Sequence, residues 1–240
     1  MSKATVPFFM VNPKSYLWGQ ESLALAKECD KICKETGVMI IFTCPYADIR
    51  LIAENTEYIT VTAQNMDSLK PGRGMGAILP ESLVEAGAKA VLLNHAENQK
   101  QVSELYKCIE RAKELNLMVI VCADSTAESK AIAELGVDII LAEPTALIGT
   151  GNAADASYTV ECCREIKSVD PDTKVMIASG ITTGQDVYNC IYNGADGSAS
   201  TSGIVNAKDA DGNINTASRA ARVKEMIDNL LQAMKDRENK

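Results

Sequence analysis

Short apolar runs alternate with amphipathic stretches along the whole of this chain, and that alternation limits the available folds more than any other feature. The apolar runs fall at residues 7–11, 38–42, 58–63, 90–93, 117–121, 138–142 and 174–178, with a weaker one at 196–200. Between most of them lie helical patterns, at 21–35, 99–115, 126–135, 156–168, 185–193 and 217–235. Strand-then-helix repetition predicts parallel pairing through right-handed crossovers. Runs without polar interruption predict strands buried on both faces. A doubly wound open sheet shares this alternation. Eight units of roughly 30 residues each, with no long insertion, favour closure into a (β/α)8 barrel. That fold typically takes about 250 residues, so the 240 residues here fit one barrel domain spanning 1–240. The polar segment 208–213 reads as a surface loop, and 235–240 reads as a fraying tail.

Composition narrows the function. With only 5% aromatics, the core is expected to rest on Ala, Val, Ile, Leu and Met. A net charge of −8 opposes nucleic acid and anionic membrane surfaces as partners. Any anionic substrate then needs a local positive field from a lysine and backbone N–H groups. Cys29, Cys33, Cys44, Cys108, Cys122, Cys162, Cys163 and Cys190 include no C-x-x-C pair, and the chain has a single histidine. They read as free core thiols in a reducing compartment, and zinc is not expected. No signal-peptide pattern and no run of about 18 apolar residues is present, which predicts a cytoplasmic protein without a membrane span.

In a (β/α)8 barrel the chemistry sits at the C-terminal ends of the strands. Polar residues just past the runs are therefore the candidates: Asn12 and Lys14 after the first, and Asn94, His95 and Glu97 after the fourth. Glu143 and Gly149-Thr150-Gly151 follow the sixth, Ser179 and Gly180 the seventh, Thr201, Ser202 and Gly203 the eighth. Each has an ordinary reading: a solvated lysine, a structural histidine, a loop-to-helix junction. Glu143 is the least ordinary, because a carboxylate buried unpaired at a strand end is costly. Together they suit proton transfer beside a carbonyl. A carboxylate acts as base, a neutral imidazole donates to the forming enediolate, and a lysine stabilises its charge. Small-residue turns would orient a phosphate through their N–H groups. No metal or organic cofactor is expected.

The chain resembles the triosephosphate isomerase family, most of all its compact archaeal branch. The resemblance runs through Asn12-Pro13-Lys14, Ala63-Gln64-Asn65, Gly76-Ala77-Ile78-Leu79-Pro80-Glu81 and Leu93-Asn94-His95-Ala96-Glu97-Asn98. It continues in Glu143-Pro144-Thr145-Ala146-Leu147-Ile148-Gly149-Thr150-Gly151 and Ser179-Gly180-Ile181-Thr182-Thr183-Gly184. These stretches occur in the family's order across nearly the whole chain. The resemblance implies a TIM barrel that isomerises a small phosphorylated sugar, assembled as a homodimer or homotetramer. It assigns Glu143 as base, His95 as electrophile and Lys14 as electrostatic lysine, with Glu97 behind Lys14. Asn12, Gly149, Ser179, Gly180, Thr201 and Ser202 would meet substrate, and Pro144–Gly151 would close as a lid. The neutral histidine and the closing lid are general features of this enzyme. Cys122 matches a family cysteine near the site, and reads equally as a core thiol.

The chain also departs from the family. Pro13 stands where an aromatic is usual, Met75 where Thr is usual and Ala96 where Ser is usual, while Thr201-Ser202 replaces a glycine pair. The last apolar run, Gly197-Ser198-Ala199-Ser200, is polar for a barrel interior. These departures leave two alternatives beside the triose enzyme: a paralogue acting on a longer sugar phosphate such as a tetrulose phosphate, and a phosphate-binding barrel without catalysis.

Overall fold

A computed structural model describes residues 4–151 and 155–239. Among these residues eight strands run in order: β1 (Phe8–Val11), β2 (Met39–Cys44), β3 (Thr60–Ala63), β4 (Ala90–Leu93), β5 (Met118–Ala123), β6 (Ile139–Ala142), β7 (Lys174–Ile177) and β8 (Gly197–Ser200). The long helices are α1 (Gly19–Thr36), α4 (Val102–Glu114), α5 (Thr126–Ala133), α6 (Ala156–Val169), α7 (Gly184–Tyr192) and α9 (Thr216–Glu238). Three short helices complete the set: α2 (Ile49–Ala53), α3 (Pro80–Glu85) and α8 (Ser202–Val205). All neighbouring strands pair in parallel, and β8 pairs back onto β1. The sheet is therefore a closed barrel, not the open sheet that the alternation also allowed.

Closure is decided where β1 meets β8. Phe8 lies opposite Gly197 and Met10 opposite Ala199. A Cβ on Gly197 would come within 2.3 Å of the Phe8 ring and 2.7 Å of its carbonyl oxygen. The absent side chain is what lets Phe8 turn into the barrel. There it stacks with Met10, Ile41, Leu92, Met118 and Ile120 in one apolar interior cluster.

Alternate residues of the same strands face outward onto the helices: Phe9, Val11, Ile40 and Phe42 pack with Leu25, Met226, Ile227 and Leu230. The core is aliphatic as composition predicts, except at β1 and β2, which bury all three phenylalanines of the chain.

The polarity of β8 has a simple account. Because Ala199 shares the interior with Met10, Ser198 points to the helical layer. Its Oγ donates to the Ile177 carbonyl at 2.9 Å, and Ser200 Oγ donates to the Ile181 carbonyl at 2.8 Å. Buried hydroxyls are thus satisfied by backbone.

Four of the helix starts are capped by side chains. Ser125, Asp155, Thr183 and Asn215 each accept a backbone N–H of the first turn, and α7 and α9 carry reciprocal capping boxes. The C-terminal tail does not fray as expected. α9 continues to Glu238, with Arg237 donating to the Ile191 and Ala195 carbonyls, and Lys240 lies outside the described residues. The 208–213 loop is confirmed as a turn, closed by Asp209 accepting the Asp211 and Asn213 N–H groups.

No helix of the described residues is long and apolar enough to cross a membrane. The packing at the barrel seam makes a direct prediction. Gly197→Ala forces a methyl into the Phe8 ring and lowers stability by about 1–3 kcal/mol, read as a lower urea midpoint with an unchanged slope.

Candidate active site

The C-terminal ends of the strands gather Lys14, His95 and Glu143 on one face, each held by its own neighbours. Lys14 has a left-handed backbone, φ 48°. That conformation is uncommon outside glycine, and two side chains hold it. Asn12 Oδ1 accepts the Lys14 N–H at 3.1 Å, and Gln64 Nε2 donates to the Lys14 carbonyl at 2.9 Å. Asn12 is itself fixed by Thr43, whose hydroxyl donates to the same Oδ1 at 2.6 Å. That oxygen is thus engaged twice.

The ammonium of Lys14 donates to Glu97 Oε1 at 2.7 Å. Partial burial pushes the Glu97 carboxyl up, but the hydrogen bond and charge of Lys14 outweigh it and hold Glu97 below the usual carboxylate range. Glu97 is therefore held in its charged form against the Lys14 ammonium.

His95 is buried, and its protonation follows from its contacts. Nδ1 accepts the Glu97 backbone N–H at 3.1 Å, so that nitrogen carries a lone pair and the hydrogen sits on Nε2. This Nε2 has no hydrogen-bond partner within the protein. It lies 3.4 Å from Glu143 Oε2, close but not aligned for a hydrogen bond. A neutral imidazole thus presents an unspent donor beside a mostly buried carboxylate. Asn94, just before His95, is also left-handed at φ 59°. It is braced by donating to the Cys122 carbonyl at 3.1 Å and accepting the Lys100 N–H at 3.0 Å.

Glu143 leads into the segment that resembles a lid. Pro144 and the tight turn Thr145–Leu147 follow it, then Gly149 and Gly151, both with positive φ. Ser179, left-handed at φ 77°, donates through Oγ to the Pro144 carbonyl at 3.1 Å.

A cleft of about 110 Å³ joins these pieces. Its wall includes Asn12, Lys14, Glu97, Glu143, Gly149, Ser179, Gly180, Thr201 and Ser202, so the predicted substrate-side residues do converge. A volume able to hold several waters suits a small metabolite. His95 opens instead onto an adjoining cavity with Gln64, Tyr46 and Asn98, which shares Asn12, Lys14 and Glu97 with the first. Gly203 is needed where α8 crosses the 182 turn, since a Cβ there would lie 2.7 Å from Thr182 Cα.

Some contributors were not anticipated. Gln64 and Asp124 directly follow β3 and β5, and the strand-end rule applied to every strand would have found both. Thr43 lies within β2 and carries no such signal. Met10, Leu141 and Ile181 give the cleft its apolar floor. Cys122 is buried in the barrel interior, and its thiol is pushed well up, first by burial and then by the charge of Glu143. Among the described residues no His, Cys, Asp and Glu cluster forms a metal site.

Comparison with known proteins agrees with this geometry. The family model described as "Triosephosphate isomerase" matches residues 7–217. Triosephosphate isomerase from Sulfolobus acidocaldarius is 35% identical over 96% of this chain and 98% of its own length. The enzymes of the same name from Methanothermus fervidus and Sulfurisphaera tokodaii are 34% and 37% identical, over 85% and 83% of this chain and 93% and 88% of theirs. With likeness of this degree running from the first strand into the last helix, the chain belongs to the triosephosphate isomerase family.

Proposed function

We propose that this protein interconverts dihydroxyacetone phosphate and glyceraldehyde 3-phosphate through an enediolate. The observation that carries the reading is the His95–Glu143 approach, an unpartnered Nε2–H 3.4 Å from a carboxylate oxygen. Glu143 takes the proton from the carbon next to the carbonyl and returns it to the neighbouring carbon. His95 Nε2–H gives its proton to the oxygen on which charge develops and takes the proton of the neighbouring hydroxyl in return, so the O–H moves from one carbon to the next, and Lys14 supplies a fixed positive charge beside it. Asn12 contacts substrate through its amide, and Glu97 keeps the lysine in place. Gly149, Ser179, Gly180, Thr201 and Ser202 hold the phosphate away from the reacting carbons. Closure of residues 144–151 over it excludes water.

The same reading includes a homo-oligomer. Met75 is fully exposed at the tip of its loop, Tyr16 and Trp18 expose large apolar surface close in sequence to Lys14, and Tyr46 does so beside the cavity that His95 lines. Surface of this kind marks an interaction site when contiguous. In a dimer the apolar tip at Met75 would be covered by the neighbouring subunit.

Isomerisation of glyceraldehyde 3-phosphate measured beside a tetrulose phosphate tests the substrate. A kcat/KM on the triose near the diffusional limit of about 10⁸ M⁻¹s⁻¹ is expected; faster turnover of the tetrulose would transfer the assignment to a longer sugar. Glu143→Asp, which draws the base back by about 1 Å, is expected to lower kcat about a hundredfold while leaving KM within a few-fold. An unchanged kcat would remove Glu143 from its role. Met75→Glu is expected to halve the particle mass seen by light scattering at micromolar concentration and to slow turnover; a wild-type mass of one chain would refute the assembly.

A further inference from the structure

Two catalytic side chains are carried on different strands, and their relative placement has to be set by something stiffer than the loops that bear them. A hydrogen-bonded chain runs from one mount to the other. Asn94, which precedes His95, donates through Nδ2 to Glu128 Oε1 at 3.2 Å. The other oxygen of Glu128 accepts the Asp124 backbone N–H at 2.7 Å. Asp124 Oδ1 then accepts the N–H of Thr145, two residues after Glu143, at 2.6 Å.

The middle of this chain is firmly seated. Asp124 follows β5 directly, and Glu128 sits in the first turn of α5, whose cap Ser125 Oγ accepts the Glu128 N–H at 3.2 Å. Asp124 itself is exposed, yet its carboxyl is held below the usual range, chiefly by the hydrogen bonds that Thr145 donates from its backbone and hydroxyl.

Glu143 borders two spaces. It lines the main cleft, and it also lines a separate void of about 10 Å³ shared with Ala96, Cys122, Asp124 and Thr145. The void is about one water in size. Which of the two spaces the carboxylate faces depends on how the backbone just after it is held.

We propose that Asp124 is a positioning residue for the isomerisation, tying Thr145 to the β5–α5 corner and so keeping Glu143 in register with His95. The proposal rests on Glu143 being the base. Asp124 touches no reacting atom; it acts by fixing where Glu143 stands.

The test uses the whole enzyme and both partners of the contact. Asp124→Ala removes the acceptor. Thr145→Pro removes the donor from the other side, in a place where Pro144 already has ψ 113°, the extended geometry that a residue before proline favours. Each is expected to lower kcat about ten- to a hundredfold, the size of effect a misplaced group gives. Competitive inhibition by glycerol phosphate, which has no carbonyl, should shift far less. Dihydroxyacetone phosphate deuterated at the carbon that loses its proton should show a larger isotope effect on kcat in both variants than in wild type. Asp124→Asn, which keeps an oxygen for the Thr145 N–H, should restore most of the rate.

The double variant should be no slower than the worse single one, because both changes delete one contact. Losses that multiply, or an isotope effect equal to wild type, would overturn the proposal. A wild-type enzyme inert on triose phosphate would overturn the functional reading beneath it. Activity that Glu143→Asp abolishes and Asp124→Ala leaves intact would overturn this inference alone. Thr145→Pro carries the test if Asp124→Ala does not fold.

Discussion

The seam between β1 and β8 is the constraint on which the rest of this molecule rests. A parallel sheet of eight strands can remain open, and then its strand ends lie along a line instead of around a ring. Here Phe8 lies where a side chain of Gly197 would be, so the first and last strands pair in register and the ring closes. Closure alone brings the residues after β1, β4, β6 and β7 within reach of one another. Lys14, His95, Glu143 and Ser179 come from positions spread across 165 residues of the chain, and without the seam they would not meet on one face. The apolar plug inside the barrel also makes the floor of that cleft. Met10, Leu141 and Ala199 belong both to the interior cluster and to its wall.

On that rigid base the chain stores local strain at the site. Of the four non-glycine residues with positive φ among the described residues, three lie past a strand on the functional face: Lys14, Asn94 and Ser179. The left-handed region costs of order 1–3 kcal/mol for such residues. It persists where surroundings over-determine the backbone, and here each case has its brace. Asn12 and Gln64 hold Lys14; Cys122 and Lys100 hold Asn94; the carbonyl of Pro144 takes the Ser179 hydroxyl. The fourth, Asn116, ends α4 and serves only as a helix stop, a role that asparagine fills readily.

Much of this was legible from the residues themselves, and the reasons for the remainder are physical. Apolar runs place the strands to within one or two residues, since a strand buried on both faces has few polar positions to blur it. Helices α2, α3 and α8 escape because four to six residues are too few to show a period, and packing holds them. The serines of β8 read as anomalous in a barrel interior until the pairing of Ala199 with Met10 shows which face Ser198 takes. The position just after a strand marks Lys14, His95, Glu97 and Glu143 as candidates, and Gln64 with them, but the hydrogen bonds that join Glu97 and Gln64 to Lys14 span 83 and 50 residues of chain. No local pattern encodes such contacts. The His95 tautomer likewise depends on a backbone N–H meeting Nδ1, a matter of coordinates.

Charge presents the sharpest apparent conflict, because a protein of net charge −8 is read here as gripping a phosphate. The arrangement of Lys14 and Glu97 resolves it. The lysine side chain is only 16% exposed while that of Glu97 is 63% exposed. Water and salt therefore screen the carboxylate far more than the ammonium, and the pair orients the lysine without cancelling its field inside the cleft. The remaining attraction has to come from groups that carry no formal charge. Glycines with positive φ at 149 and 180, and the opening turn of α8, put bare backbone along the wall. Such N–H groups attract an anion at short range only. The acidic surface then acts at long range and the site at contact, so a net negative charge and a small phosphorylated substrate are compatible in one chain.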